Sequence, residues 1–85
     1  MIDLASMLLF ERQQRGLSVR AAAKAIGISN PYLSQLETGK IGNPTLDVIQ
    51  RLTRAYRIKP EIWMQVKALP GSVSALRAAE NGDEQ

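Results

Sequence analysis

With 85 residues, 45% of them hydrophobic, the chain can bury one compact core and no second one, which argues against a deep catalytic cleft. It holds neither cysteine nor histidine, which removes disulfides, thiol nucleophiles, the usual zinc ligands and the commonest general base together. The formal charge of +3 is uneven, with nine Lys/Arg against Glu37 and Asp47 in residues 12–59 and an acidic excess on either side, so the middle of the chain suits phosphates.

Asp3 rather than a basic segment opens the chain, and no apolar run approaches the roughly 20 residues that span a bilayer. The expectation is a soluble, cytoplasmic protein with no membrane partner. A first helix is predicted from about Asp3 to Gln14, ended by Gly16, with Leu17 turning back into the core. Leu4, Met7 and Leu8 form its inward face, and Leu9 and Phe10 lie too far around to share it. That surplus apolar surface calls for a cover, either the C-terminal segment or a second subunit.

The stretch from Ser18 to Gly39 reads as two short helices joined by a tight turn. Ser18 caps the first, and Ala22, Ala23 and Ile26 make its apolar stripe. Gly27 supplies the bend because it takes φ > 0 without a Cβ clash, while Ala23 is small enough for the second helix to cross closely. Arg20 and Lys24 share another face with no carboxylate nearby in sequence, which fits contact with a phosphate backbone. Ser29 or Asn30 caps the next helix, and Pro31 falls in its first turn, where a missing N–H costs nothing. With Leu33 and Leu36 inward, Asn30, Tyr32, Ser34, Gln35 and Thr38 are left outward or sideways. Such a set suits a DNA major groove: Asn and Gln pair with adenine, Ser and Thr bond phosphates or base edges, and Tyr meets a thymine methyl or a phosphate.

After Gly39 the loop Lys40-Ile41-Gly42-Asn43-Pro44 leads to Thr45, the cap of a fourth helix carrying Leu46, Ile49, Leu52, Ala55 and Tyr56 at helical spacing. Lys40 and Asn43 stand closer to a DNA backbone than the distal Arg51 and Arg54. Pro60 starts a fifth helix with Ile62, Trp63 and Val66, Trp63 being a core or dimer anchor. Pro70-Gly71 breaks it, and residues 72–79 form a last short helix with Val73 and Leu76 on one face, before a frayed acidic end.

These residues resemble the lambda-repressor-like, Cro/phage-repressor-type (XRE) helix-turn-helix family over roughly residues 4–66. The match rests on RGLS at 15–18, AxxxGIS from Ala23 to Ser29, YLSQLETGK from Tyr32 to Lys40, NPTL at 43–46 and RIKPEIW at 57–63. Docking of the third helix in the major groove is the geometry for which members of this family are the standard examples. The resemblance implies an all-α fold: a compact five-helix domain over residues 1–69, followed by a C-terminal extension over 70–85 with one short helix. It implies a transcriptional regulator, not an enzyme, acting without a cofactor as a dimeric repressor on a palindromic operator in double-stranded DNA. Carried over, the base-reading positions are Asn30, Pro31, Tyr32 and Gln35. Those for phosphate are Thr38, Lys40 and Asn43, joined on the residue-level reading by Arg20 and Ser34. The family's helix 1 arginine and helix 3 glutamate correspond to Arg12 and Glu37, a structural pair.

Two departures stand out. Val19 occupies a position where many members carry a phosphate-binding glutamine, leaving Arg20 as its substitute. Pro31 has no donor where a base is often read, so readout leans on Tyr32 and Gln35, helped by DNA shape. A homodimer would be built from Leu9, Phe10, Trp63, Val73 and Leu76. Two alternatives stand beside this reading. One is an antitoxin with a toxin partner, because KPEIWMQV resembles a segment of host-inhibition antitoxins; the other is a helical protein-interaction module that does not bind DNA.

Overall fold

The computed structural model describes residues 2–66. Within them lie α1 (Leu4–Gln14), α2 (Val19–Ile26), α3 (Asn30–Thr38), α4 (Leu46–Tyr56) and α5 (Pro60–Met64). The expected domain boundary at 69/70, the last short helix and the interface candidates Val73 and Leu76 lie outside the described residues.

Local chemistry sets each start. Asp3 sits outside the first helix as its cap, its Oδ2 accepting from the Ser6 N–H at 3.1 Å. Ser18 Oγ accepts from Ala21 N–H at 3.0 Å, Ser29 Oγ from Tyr32 N–H at 3.2 Å and Thr45 Oγ1 from Val48 N–H at 3.3 Å. Each such cap satisfies a donor the helix cannot reach and contributes about 1 kcal/mol. Ser29, not Asn30, therefore caps α3, which leaves the Asn30 side chain unused at its first helical position. The ends are equally local. Gly27 and Gly39 close α2 and α3 at φ +90° and +84°, and Arg57 closes α4 at φ +53°, a conformation that favours glycine.

Helix α1 packs on α3, and α2 packs on both α3 and α4. The core they enclose comprises Leu4, Met7 and Leu8 of α1, Ala22, Ala23 and Ile26 of α2, Leu33 and Leu36 of α3, Ile49, Leu52 and Tyr56 of α4, and Ile58, Trp63 and Val66 beyond. Ala22 and Ala23 are buried between larger neighbours, where their small side chains let α3 cross α2 closely.

Trp63 is only 2% exposed within a single chain. Its indole N–H donates to Thr53 Oγ1 at 2.8 Å, and Thr53 Oγ1 donates to the Ile49 carbonyl at 2.7 Å, a relay that pins the short α5 to α4. This corrects Trp63 as a dimer anchor: it has no surface to offer a partner. Sequence periodicity also missed how the ends meet. The Ile2 N–H donates to the Gln65 carbonyl at 2.7 Å, joining residue 2 to the end of α5 beside Val66. Of the surplus apolar residues on α1, Leu9 is half-buried, whereas Phe10 stands 56% exposed. No helix of the described residues is long and apolar enough to cross a membrane.

Candidate nucleic-acid interface

At about 100° per residue, the residues of α3 separate into two arcs. Asn30, Ser34, Thr38, Pro31 and Gln35 fall within about 140° of one another, and Tyr32, Leu36, Leu33 and Glu37 occupy the rest. Burial follows this division: Asn30, Pro31, Ser34 and Thr38 are exposed and Gln35 half-exposed, while Leu33 and Leu36 are fully buried.

Tyr32 belongs to the second arc. It is half-buried and packs against the core, and desolvation pushes its phenol pKa upward. Its ring therefore flanks the outward face instead of standing on it, which corrects the expectation that Tyr32 shares the lead in readout. Thr38 lies nearest the middle of that face, with Ser34 and Pro31 on either side of it.

The polar groups of the outward face are available. Among the described residues, the side chains of Asn30, Ser34 and Gln35 make no intramolecular hydrogen bond, and Thr38 Oγ1 donates only to the Gln35 carbonyl at 3.3 Å. The cations divide in the same way. Arg20, Lys24 and Lys40 are exposed, with no carboxylate partner among the described residues. Arg12, Arg15 and Arg51 are instead committed to Glu37, Glu11 and Asp47, at 2.8, 2.6 and 2.8 Å. The basic segment thus holds some arginines that bind the fold together and other cations that remain free for an anion. Val19, the expected departure, is half-buried against the core, so the first turn of α2 offers Arg20 as its only cation.

Contacts behind the face hold α3 in place. Arg12 Nε donates to Glu37 Oε2 at 2.8 Å and Arg12 Nη1 to the Leu17 carbonyl at 2.9 Å, so one guanidinium ties the end of α3 to α1 and to the turn before α2. The Arg12–Glu37 pair expected from resemblance is present. The hydrogen bond to Glu37 raises the Arg12 pKa against the opposing effect of desolvation.

Three further supports were not legible from spacing. Arg15 lies 4.9 Å from the Tyr56 ring centroid and donates to the Tyr56 carbonyl, fastening α1 to the end of α4. Arg51 Nη1 sits over the α2–α3 turn, 3.5 Å from the Gly27 carbonyl, while its Nε is held by Asp47. A Cβ at Gly27 would lie 2.5 Å from that Nη1. Finally, the Ile41 N–H donates to the Gln35 carbonyl at 3.1 Å, with Ile41 against the core and Pro44 buried. These two apolar anchors fold the loop back on α3 and leave Lys40 and Asn43 exposed between them. An isolated Ile in a polar Gly-Asn-Pro loop is the signal that could have revealed this.

A helix-turn-helix family model matches residues 9–63 of the chain. An uncharacterized HTH-type transcriptional regulator of Mycobacterium tuberculosis is 37% identical over 57 residues, which cover 67% of this chain and 40% of that protein. The HTH-type transcriptional regulator DdrOP3 of Deinococcus deserti is 49% identical over 47 residues, 55% of this chain and 36% of that protein. The chain therefore spans about 40% or less of the length of these relatives. The matched residues include α2, α3, the turn between them and the loop that follows.

Proposed function

The chain belongs to the Cro/C1-type helix-turn-helix family, and on that footing we propose that it is a DNA-binding transcriptional regulator whose α3 enters the major groove. The observation that carries this reading is the outward arc of α3, whose polar side chains are uncommitted while Arg12 behind it is held in an ion pair with Glu37. Hydrogen-bonding groups with no partner in the protein are free to meet base edges, and a helix held by the Arg12–Glu37 pair presents them with little freedom to lose.

In this reading Asn30, Pro31 and Gln35 face bases, with Tyr32 at the flank, and Arg20, Ser34, Thr38, Lys40 and Asn43 face phosphates. Binding is dimeric, because one such module reads few base pairs, and two α3 helices about 34–36 Å apart read successive turns of a palindrome. Among the described residues Phe10 and Met64 are the large apolar side chains left most open to a second chain, with the half-buried Leu9 beside Phe10. Repression follows from occupancy, since a dimer seated on promoter DNA excludes other proteins from it. The antitoxin alternative draws on KPEIWMQV, in which Trp63 and Val66 are used in the chain's own core and Met64 stands exposed.

Selection of bound sites from random double-stranded DNA tests the proposal. The expected result is a palindromic motif whose half-sites lie about one helical turn apart. Affinity for it should fall steeply between about 50 and 200 mM salt, as release of counterions from several phosphates requires. No enriched motif, or binding indifferent to salt, would overturn the reading.

A further inference from the structure

Pro31 is the base-facing residue of the outward arc whose contact the reading above leaves unspecified. It stands at the second position of α3, exposed, and nearer the middle of the arc than Asn30 or Gln35. Its side chain has no polar atom and its backbone has no N–H, so it cannot donate to a base and offers no side-chain acceptor to one. Its helical position explains why it is tolerated there, because the first-turn N–H it lacks has no helical partner to lose. Tolerance does not explain an exposed apolar ring within an otherwise polar reading face.

One apolar group in the major groove matches it. Every base edge there presents hydrogen-bonding atoms, and thymine alone adds a C5-methyl. The pyrrolidine ring is rigid, so its apolar surface meets that methyl with no rotamer to freeze. On either side of Pro31 in the arc, the uncommitted amides of Asn30 and Gln35 are the side chains that pair bidentately with adenine N6 and N7. From this juxtaposition we infer that Pro31 is a specificity-determining residue that reads a thymine C5-methyl, and that each half-site places this thymine beside adenines read by Asn30 and Gln35. The inference rests on the proposed DNA-binding function and specifies the base class that α3 prefers.

The test removes the methyl alone. On the site selected from random DNA, each thymine is replaced in turn by deoxyuridine, which keeps every hydrogen-bonding atom, and affinity is measured by fluorescence anisotropy at fixed salt. One thymine per half-site should be sensitive, losing about four-fold per half-site, the loss expected for one buried methylene-sized group at ~0.8 kcal/mol. With Pro31→Ser, the same replacement should have no effect. At that position, cytosine should be bound more weakly than 5-methylcytosine by the wild-type protein and equally by the variant. Pro31→Ala, which keeps a smaller apolar group, should fall between the two, and thermal melting confirms that both variants fold. Selective binding with no deoxyuridine-sensitive thymine, or a sensitivity unchanged in Pro31→Ser, would overturn the role of Pro31 while leaving DNA binding intact. Absence of any selective DNA binding would instead remove the proposed function, and this inference with it.

Discussion

Removing Arg12 should damage the fold far more than neutralising its partner. The Arg12 side chain is 16% exposed and that of Glu37 only 7%, with 2.8 Å between Nε and Oε2. Arg12→Ala leaves a carboxylate close to buried with no counter-charge and deprives the Leu17 carbonyl of its 2.9 Å donor. Exposed ion pairs contribute about 0–1 kcal/mol, whereas breaking a buried one costs about 3–5 kcal/mol. This pair lies at the rim of the core, so the expected loss is about 2–3 kcal/mol, a large fraction of the stability of a domain this size. Glu37→Gln keeps an amide oxygen to accept from Arg12 and leaves a long cation able to reach water, so about 1 kcal/mol is expected. Urea unfolding followed by the fluorescence of Trp63, the single tryptophan, measures both. A loss below about 0.5 kcal/mol for Arg12→Ala, or equal losses for the two variants, would refute the asymmetry and the view that this pair supports α3.

Tyr56 is 2% exposed, and its hydroxyl finds no partner among the described residues. Tyr56→Phe should therefore leave stability unchanged or raise it by about 1 kcal/mol, with thermal melting as the measure; a loss above that would show an unrecognised partner. Burial, reinforced by the Glu37 carboxylate, raises the Tyr56 pKa, so its contribution is complete below the unfolded value near 10 and lost as pH rises above it. The alkaline decline should be shallower in the Phe variant. Thr53→Val strands the buried Trp63 N–H and should cost about 1–3 kcal/mol, more than Thr53→Ser, which preserves the relay. Gly27→Ala imposes φ +90° on a residue with a Cβ and displaces the Arg51 guanidinium, for about 1–2 kcal/mol by denaturation; a neutral result would mean the turn relaxes freely. In DNA binding, Gln35→Ala should cost about 1–3 kcal/mol and relax one position of the site, whereas Lys40→Ala should weaken all sites alike and lower the salt slope by about one unit. Identical behaviour of the two would contradict the division between base and phosphate contacts.

Most of the frame is legible in the chain because its signals are local. A capping hydroxyl acts within three residues, and a glycine at positive φ answers only to its own backbone, so Ser18, Thr45, Gly27 and Gly39 announce their roles directly, whereas Asp3, expected inside α1, proves to be its cap. The inward residues follow from periodicity. The site is less legible where one angle matters. Tyr32 and Pro31 are adjacent in sequence, yet a rotation of about 100° puts the aromatic ring against the core and the proline in the open.

By itself, the sequence determined the helices, their caps and turns, the apolar stripes and the family, since each depends on neighbours within a turn or two. Only the tertiary structure decided that Arg15 reaches the Tyr56 carbonyl, that Trp63 faces Thr53, that Arg51 covers the Gly27 turn, and that Ile41 draws Lys40 and Asn43 onto the end of α3. Those contacts join residues brought together by the packing of separate helices, and no short-range pattern encodes which long side chain reaches which distant carbonyl or carboxylate.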